Sequence, residues 1–291
     1  MSASFRVAAA QYDIGFFADW SAYEARITRW VDEAAANGAK LLVFPEYFSM
    51  ELASLFGQAV YSSLEKQLAA LQGVLPDFHA LFTAQARRHG VHIVAGSFPV
   101  RQADGEYRNR AHLFYPDGRS DFQDKLQMTR FENEQWLIRP GDALRVFDTA
   151  FGRLGISICY DAEFPLIARR QVEAGAELIV VPSCTDTLAG YWRVRIGCQA
   201  RALENQCHVV QASTVGAAPW SEAVDVNTGA AAIYTPIDRG FPADGVLAIG
   251  ELDRTQWVYA DIDPAAVARV RTEGQVFNHR DWAGQLRDRA T

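Results

Sequence analysis

The chain contains no apolar run approaching the ~18 residues that a membrane-spanning helix needs, so no span is expected. It has no excess of basic charge. Lys and Arg number 28 against 35 Asp and Glu, a net charge of −7, and no basic cluster stands out, which disfavours nucleic-acid binding. Cysteine is scarce. Cys159, Cys184, Cys198 and Cys207 fit neither a disulfide framework nor a C-x-x-C metal site. They read as reduced thiols of a cytoplasmic protein. The opening Met1-Ser2-Ala3-Ser4-Phe5 lacks a basic segment followed by a long apolar one, so no signal peptide is expected. No His/Asp cluster has ligand spacing, so no metal is expected. No linker, low-complexity tract or repeat divides the 291 residues. They read as one domain, and 49% hydrophobic content is ample for a core.

What is present alternates between strand and helix. Phe5 to Gln11 reads as a strand, and Trp20 to Asn37 as an amphipathic helix stopped by Gly38. Lys40 to Phe44 is a short buried strand that Pro45 ends, since proline cannot donate to a ladder. A helix over Pro76 to His89 leads to a strand over Val91 to Ala95. Hairpins are expected at Ala111 to Phe122, around Pro116-Asp117-Gly118, and between Leu144 to Asp148 and Arg153 to Ile158. Helices at Pro165 to Ala174 and Tyr191 to Asn205 alternate with strands at Leu178 to Val181 and Cys207 to Ser213. Two late strands, near Gly229 to Tyr234 and Trp257 to Asp261, precede a helix from Pro264. Alternation interrupted by hairpins implies mixed sheets with helices outside, an α/β protein of more than one sheet layer.

Three ionisable residues sit just past strand ends. Glu46 follows Phe44-Pro45, Lys125 follows the strand near Arg119 to Phe122, and Cys159 follows Arg153 to Ile158. Ligands of α/β sheets bind outside the carboxyl ends of strands. Singly, the three also read as a solvated acid, a surface lysine and a core thiol. Together they make chemical sense. A thiol needs a base or a cation to become a nucleophile. A glutamate in a low-dielectric site can accept and return a proton. A lysine can donate to an oxyanion together with the backbone N–H after the nucleophile.

These residues carry a resemblance. Phe44-Pro45-Glu46, Asp124-Lys125-Leu126 and Cys159-Tyr160-Asp161-Ala162-Glu163-Phe164-Pro165 resemble, in that order, the glutamate, lysine and cysteine motifs of the nitrilase or carbon–nitrogen hydrolase superfamily. The resemblance runs from Phe5 to about Trp282. It implies a four-layer αββα sandwich and hydrolysis of a non-peptide amide or carbamoyl C–N bond through a cysteine thioester, with no cofactor. It also implies a homodimer or higher homo-oligomer, with the tail from about residue 274 in the interface. Many members carry a second glutamate after the lysine, shortly before a Pro-Gly. Glu132 and Glu134 are candidates, and Glu134 has the better spacing to Pro140-Gly141. Trp136, Tyr160 and Thr185 are expected to line the substrate or the oxyanion.

Cys-Tyr-Asp resembles the amidase and carbamoylase branches, whereas true nitrilases resemble Cys-Trp-Glu. Omega-amidase-like members have Arg where Glu163 stands, so Glu163 reads either as a contact to a cationic or polar group or as a cap of the helix from Pro165. The expectation is therefore an amidase-like hydrolase with Glu46, Lys125 and Cys159 as its triad. The rivals are a nitrilase or acyl transferase using the same trio, and a catalytically inactive dimeric binding protein.

Overall fold

The computed structural model of the chain describes residues 4–285. Side-chain alternation along the first strands explains its layers. In β1 (Phe5–Asp13), Val7 and Ala9 join one buried cluster, and Ala8, Ala10 and Tyr12 join another. The same division runs through β2 (Ala39–Val43), β3 (His92–Arg101) and β4 (Tyr107–Phe114). Leu41, Val43, Val94, Ala111 and Leu113 face one way, and Leu42, Ile93 and Phe114 the other. A strand exposes alternate residues to opposite faces, so a sheet apolar on both sides must be covered on both.

The first face meets a second sheet, and the other meets helices. β1, β2 and β3 are parallel, and β4 and β5 (Ser120–Asp124) continue antiparallel to the edge. A two-residue β6 (Ile138–Arg139) lies on β4. The second sheet runs from β7 (Val146–Thr149) through β8 (Gly152–Ile156) and β9 (Leu178–Ser183) to β10 (His208–Ala217). The short β11 (Val226–Asn227) pairs with the end of β10, and β12 (Ala232–Tyr234) and β13 (Val246–Ile249) extend the sheet antiparallel. The sheets join where Gln11, Tyr12 and Asp13 pair with Ser213, Thr214 and Val215. β14 (Gln256–Ile262) lies antiparallel along β1, from Phe5↔Ile262 to Gln11↔Gln256.

Helices α1 (Trp20–Ala36) and α4 (Leu75–His89) cover the first sheet through Tyr23, Ile27, Val31, Phe78 and Phe82. Between them in sequence lie a 3₁₀ segment over Phe48–Leu55 and two short helices, α2 (Gln58–Tyr61) and α3 (Leu64–Leu71). The outer helices of the second sheet are α5 (Pro165–Glu173) and α6 (Leu188–Asn205). They bury Ala168, Val172, Val194, Cys198 and Ala202. The result is the expected αββα sandwich. Each fully buried Val, Leu, Ile or Phe in it contributes roughly 1.5–3 kcal/mol relative to exposure.

The end of the chain folds back on the second sheet's helices. After α7 (Pro264–Glu273), the Gln275 N–H donates to Asp238, and Gln206 donates to the Val276 carbonyl. Arg169 of α5 donates to the His279 carbonyl in α8 (Asn278–Asp281) and lies over the Trp282 ring. Residues 275–282 therefore rest on the chain's own α5 and α6 side. Among the described residues no helix is long and apolar enough to cross a membrane.

Candidate active site

Each motif residue enters the site from a strand that a local feature terminates. Phe44 makes the last ladder bond, donating to Val94 O, and Pro45 then has no N–H to offer. The turn past β2 presses on β3 at Gly96, where φ is +51° and a Cβ would overlap the Pro45 carbonyl oxygen. Only glycine satisfies both constraints. Tyr47, also left-handed at φ 54°, donates its N–H to Ser97 Oγ, and this fixes the direction in which Glu46 leaves the strand. Lys125 follows β5 directly. Its N–H donates to Asn109 O, and its carbonyl accepts from Gly141 N.

Cys159 closes the segment after β8, where Ser157 N still donates to Val180 O. Its φ is +49°, a left-handed conformation costing of order 1–3 kcal/mol for a residue with a Cβ. It opens a 3₁₀ turn over Cys159–Glu163, held by the Asp161 N–H on the Ile158 carbonyl. The nucleophile candidate therefore sits on a strained strand-to-helix turn.

The side chains converge. Lys125 Nζ donates to Glu46 Oε1 at 2.8 Å and to Glu132 Oε2 at 2.6 Å. Asn109 Nδ2, from β4, donates to both carboxylates, to Glu46 Oε1 at 2.8 Å and to Glu132 Oε1 at 3.1 Å. The Cys184 N–H, just past β9, donates to Glu46 Oε2 at 3.1 Å, and the Cys159 thiol faces the Cys184 carbonyl at 3.7 Å. Glu46 and Lys125 are 1% exposed, Glu132 2% and Cys159 4%. An ion cluster this buried persists because its opposite charges are paired and its carboxylates accept further hydrogen bonds.

Glu132, not Glu134, is the carboxylate beside Lys125. It also accepts from Tyr47 Oη, Thr129 N and Thr129 Oγ1. Glu134 is exposed and ion-paired with Arg130, four residues before it. The two glutamates lie two apart on a π-helical turn over Phe131–Gln135, which sends them to different sides. Trp136 packs on Tyr47 at 4.8 Å and donates to Leu64 O, so it backs the site through Tyr47. Tyr160 lies edge-on to Phe164, and Thr185 donates its hydroxyl to Thr228 O. Glu163 does not cap α5, whose N-cap is Phe164 with no side-chain bond. It pairs with Arg193 at 3.6 Å. Asn109 is a site residue that the sequence does not reveal, since a lone Asn inside a strand carries no signal of its own.

Electrostatics gives the four groups different states. Burial pushes the Glu46 carboxyl up, and nearby Glu132 adds to this against the pull of Lys125. The net is a raised pKa. Burial acts on Glu132 too, but Lys125 and the hydrogen bonds outweigh it and hold it below the usual range. Burial alone would neutralise Lys125, yet Glu132 and Glu46 hold it well above its usual value. The Cys159 thiol is pushed well up, first by burial and then by the Glu46 charge, with Lys125 opposing. At neutral pH the site therefore holds a Glu132⁻–Lys125⁺ pair, a carboxylate of raised basicity and a neutral thiol.

A glutamate base, a buried lysine and a thiol on a strained turn, at the loops of two facing sheets, can activate a sulfur nucleophile and stabilise an oxyanion. The carbon-nitrogen hydrolase family matches residues 6–272. The chain belongs to that family. A probable hydrolase of Bacillus subtilis, YhcX, is 34% identical over 276 residues, which cover 95% of this chain and 53% of the relative. This chain thus spans about half the length of that protein. Human omega-amidase NIT2 is 26% identical over 289 residues, 95% of each chain. Among solved structures, an amidase from Nesterenkonia sp. AN1 superposes with a TM-score of 0.71 at 23% identity, covering 96% of this chain and 99% of that one. It was solved as a mutant with acrylamide added to its active-site cysteine. That likeness establishes the shared fold.

Proposed function

We propose that this carbon–nitrogen hydrolase is an amidase that cleaves a non-peptide amide or carbamoyl bond of a small molecule through a Cys159 thioester. The observation that carries the reading is the buried Glu46–Lys125–Glu132 cluster beside a thiol on left-handed backbone. Glu46 takes the thiol proton as Cys159 Sγ attacks the carbonyl carbon. Lys125 Nζ and the Tyr160 N–H hold the oxyanion. The C–N bond then breaks, and the leaving nitrogen takes the proton from Glu46. Water, deprotonated by Glu46, attacks the thioester. The carboxylate is released and the thiol re-formed. Names among the relatives, omega-amidase and amidase, agree with this chemistry. Glu46 must be ionised to accept the thiol proton. Its carboxyl is held above the usual value, so kcat/KM falls as pH falls through that raised pKa.

The test is ammonia release from matched amides, carbamoyl compounds and nitriles, with Cys159→Ala as control. Amides or carbamoyl compounds should turn over faster than the matching nitriles. A higher kcat/KM for a nitrile than for its amide overturns the assignment. Glu132 acts through Lys125, so Glu132→Gln is expected to lower kcat/KM by about tenfold or more. Glu134→Gln, an exposed change, should stay within about twofold. Steady-state kinetics of the two decides, and a silent Glu132→Gln refutes the role.

The same reading includes at least a homodimer through the α5 and α6 side, with the tail from about residue 274 in the interface. Leu188, Trp192 and Ile196 recur every four residues as an exposed apolar stripe on α6, and Leu166 is exposed on α5. Such faces mark interfaces. Light scattering at micromolar concentration should give at least twice the 32.3 kDa chain mass. A fully active monomer there refutes the dimer.

A further inference from the structure

Lys125 and Cys159 belong to different sheets. One follows β5 and the other β8. Something must hold the two loops in register, because the lysine can steady an oxyanion only at hydrogen-bond distance from where it forms. One buried side chain spans them. Asp161, two residues after Cys159, is 1% exposed. Its Oδ1 accepts from Gln127 N at 2.7 Å and from Leu126 N at 3.1 Å, and its Oδ2 accepts from Ile158 N at 3.1 Å. Leu126 and Gln127 are the two residues after Lys125, and Ile158 is the residue before Cys159. The carboxylate therefore ties the lysine loop of one sheet to the nucleophile turn of the other. It also braces the strained turn, since its own N–H holds the Ile158 carbonyl.

We propose that Asp161 is a positioning residue, which sets Lys125 against the Cys159 sulfur by accepting backbone N–H groups from both loops. It touches no reacting atom. Its side chain acts purely as an acceptor: burial pushes its carboxyl up to about 7 against Lys125 and the backbone N–H groups of Gln127, Ile158 and Leu126, and in its ionised form it meets a demand that an amide does not. An amide has one oxygen and an NH2, and here the NH2 would face backbone N–H groups, donor against donor. The proposal rests on the Cys159–Lys125–Glu46 reading.

Asp161→Asn tests it, because the amide keeps volume and one acceptor. The variant is expected to stay folded by circular dichroism. Its kcat per active site should fall on the order of 10²-fold with KM little changed, the effect of a misplacement near 1 Å. Sites are counted by stoichiometric alkylation with iodoacetamide. A merely structural role would reduce the number of competent sites and leave kcat per site unchanged. That result overturns the proposal. Should Asp161→Asn fail to fold, Asp161→Glu takes its place in both measurements. A double-mutant cycle adds a second readout. If Asp161 works through Lys125, Asp161→Asn added to Lys125→Ala costs less than about threefold more, and multiplicative losses contradict the proposal. The two readings fail separately. An active Cys159→Ala enzyme removes the mechanism, whereas a dead Cys159→Ala beside a wild-type Asp161→Asn removes only the role of Asp161.

Discussion

Cys159→Ala should lose turnover by on the order of 10⁴-fold or more, with the fold intact, because on the proposed mechanism the Cys159 sulfur carries the acyl group. Alanine fits the space, and its left-handed backbone costs no more than that of cysteine at φ +49°. One equivalent of iodoacetamide should block wild-type activity at Cys159 ahead of the other three thiols. This order does not follow from a low thiol pKa, since burial and Glu46 push Cys159 well up. It follows from a base in place to take the proton as the bond forms. Cys198 and Cys207 are fully buried, and burial pushes Cys207 to about 12. Cys184 is also pushed by burial to about 12, and its thiol already faces Asn227 Oδ1. Glu46→Gln should accordingly slow labelling at Cys159 as well as turnover. Peptide mapping gives the site. Inactivation by label at another cysteine, with Cys159 unmodified, would falsify the assignment.

Lys125→Ala should damage both rate and stability. On the proposed mechanism the rate loses an oxyanion donor, typically worth 10²–10³-fold or on the order of 3–4 kcal/mol. Stability suffers because Glu46 and Glu132 lose the cation between them. Removing one partner of a buried ion cluster costs roughly 3–5 kcal/mol, since it leaves uncompensated charge. The pH dependence reveals which effect dominates. In the wild type, the depressed Glu132 pKa means that its contribution to stability is present above the ordinary carboxyl pKa and is lost as pH falls through the lower, folded-state value. Without Lys125, burial of the two carboxylates is opposed only by the hydrogen bonds they accept, and Glu46, already raised with the lysine present, rises further. Its folded-state pKa then lies further above the unfolded one, so the variant should gain stability on acidification from neutral pH. Denaturant melts of both proteins at pH 5 and pH 7 check this. A variant as stable as wild type at pH 7 excludes the proposed strain.

The sequence revealed residues that end strands but not residues that act from within them. Glu46, Lys125 and Cys159 are legible because proline, a hairpin and a Cys-Tyr-Asp turn mark the ends of their strands. α1 is legible too, spanning Trp20–Ala36 with Asn37 closing it. Asn109 lies inside β4, where its inward direction depends on register with β3 and β5, a long-range property. Asp161 was seen as part of a motif, but its partners lie on another sheet. Spacing to Pro140-Gly141 favours Glu134 over Glu132 because it measures chain length, not direction, whereas the structure puts Glu132 beside Lys125. A better cue was present. Arg130 and Glu134 are four apart, the spacing of a surface pair, which leaves Glu132 to face inward. The segments Phe48–Leu55 and Gln58–Leu71 also escaped, being short turns fixed by the layers they join.

The pairing of β14 with β1 has a consequence for the order of events during synthesis. The groups that compose the site are all present once residue 184 has been made. The strand β1 that supports β2 and its Glu46 turn still lacks β10 until Ser213–Val215 is made, and β14 until Gln256–Ile262 emerges. A chain grows at about 5–20 residues per second, so some 80 residues occupy several seconds. For that interval the nascent enzyme has a complete set of reactive side chains and an unclosed sheet, with the β1 edge open to any passing strand. Competence for turnover should therefore arrive late and all at once on the ribosome. A chain stalled before Gln256 should be the form that chaperones hold.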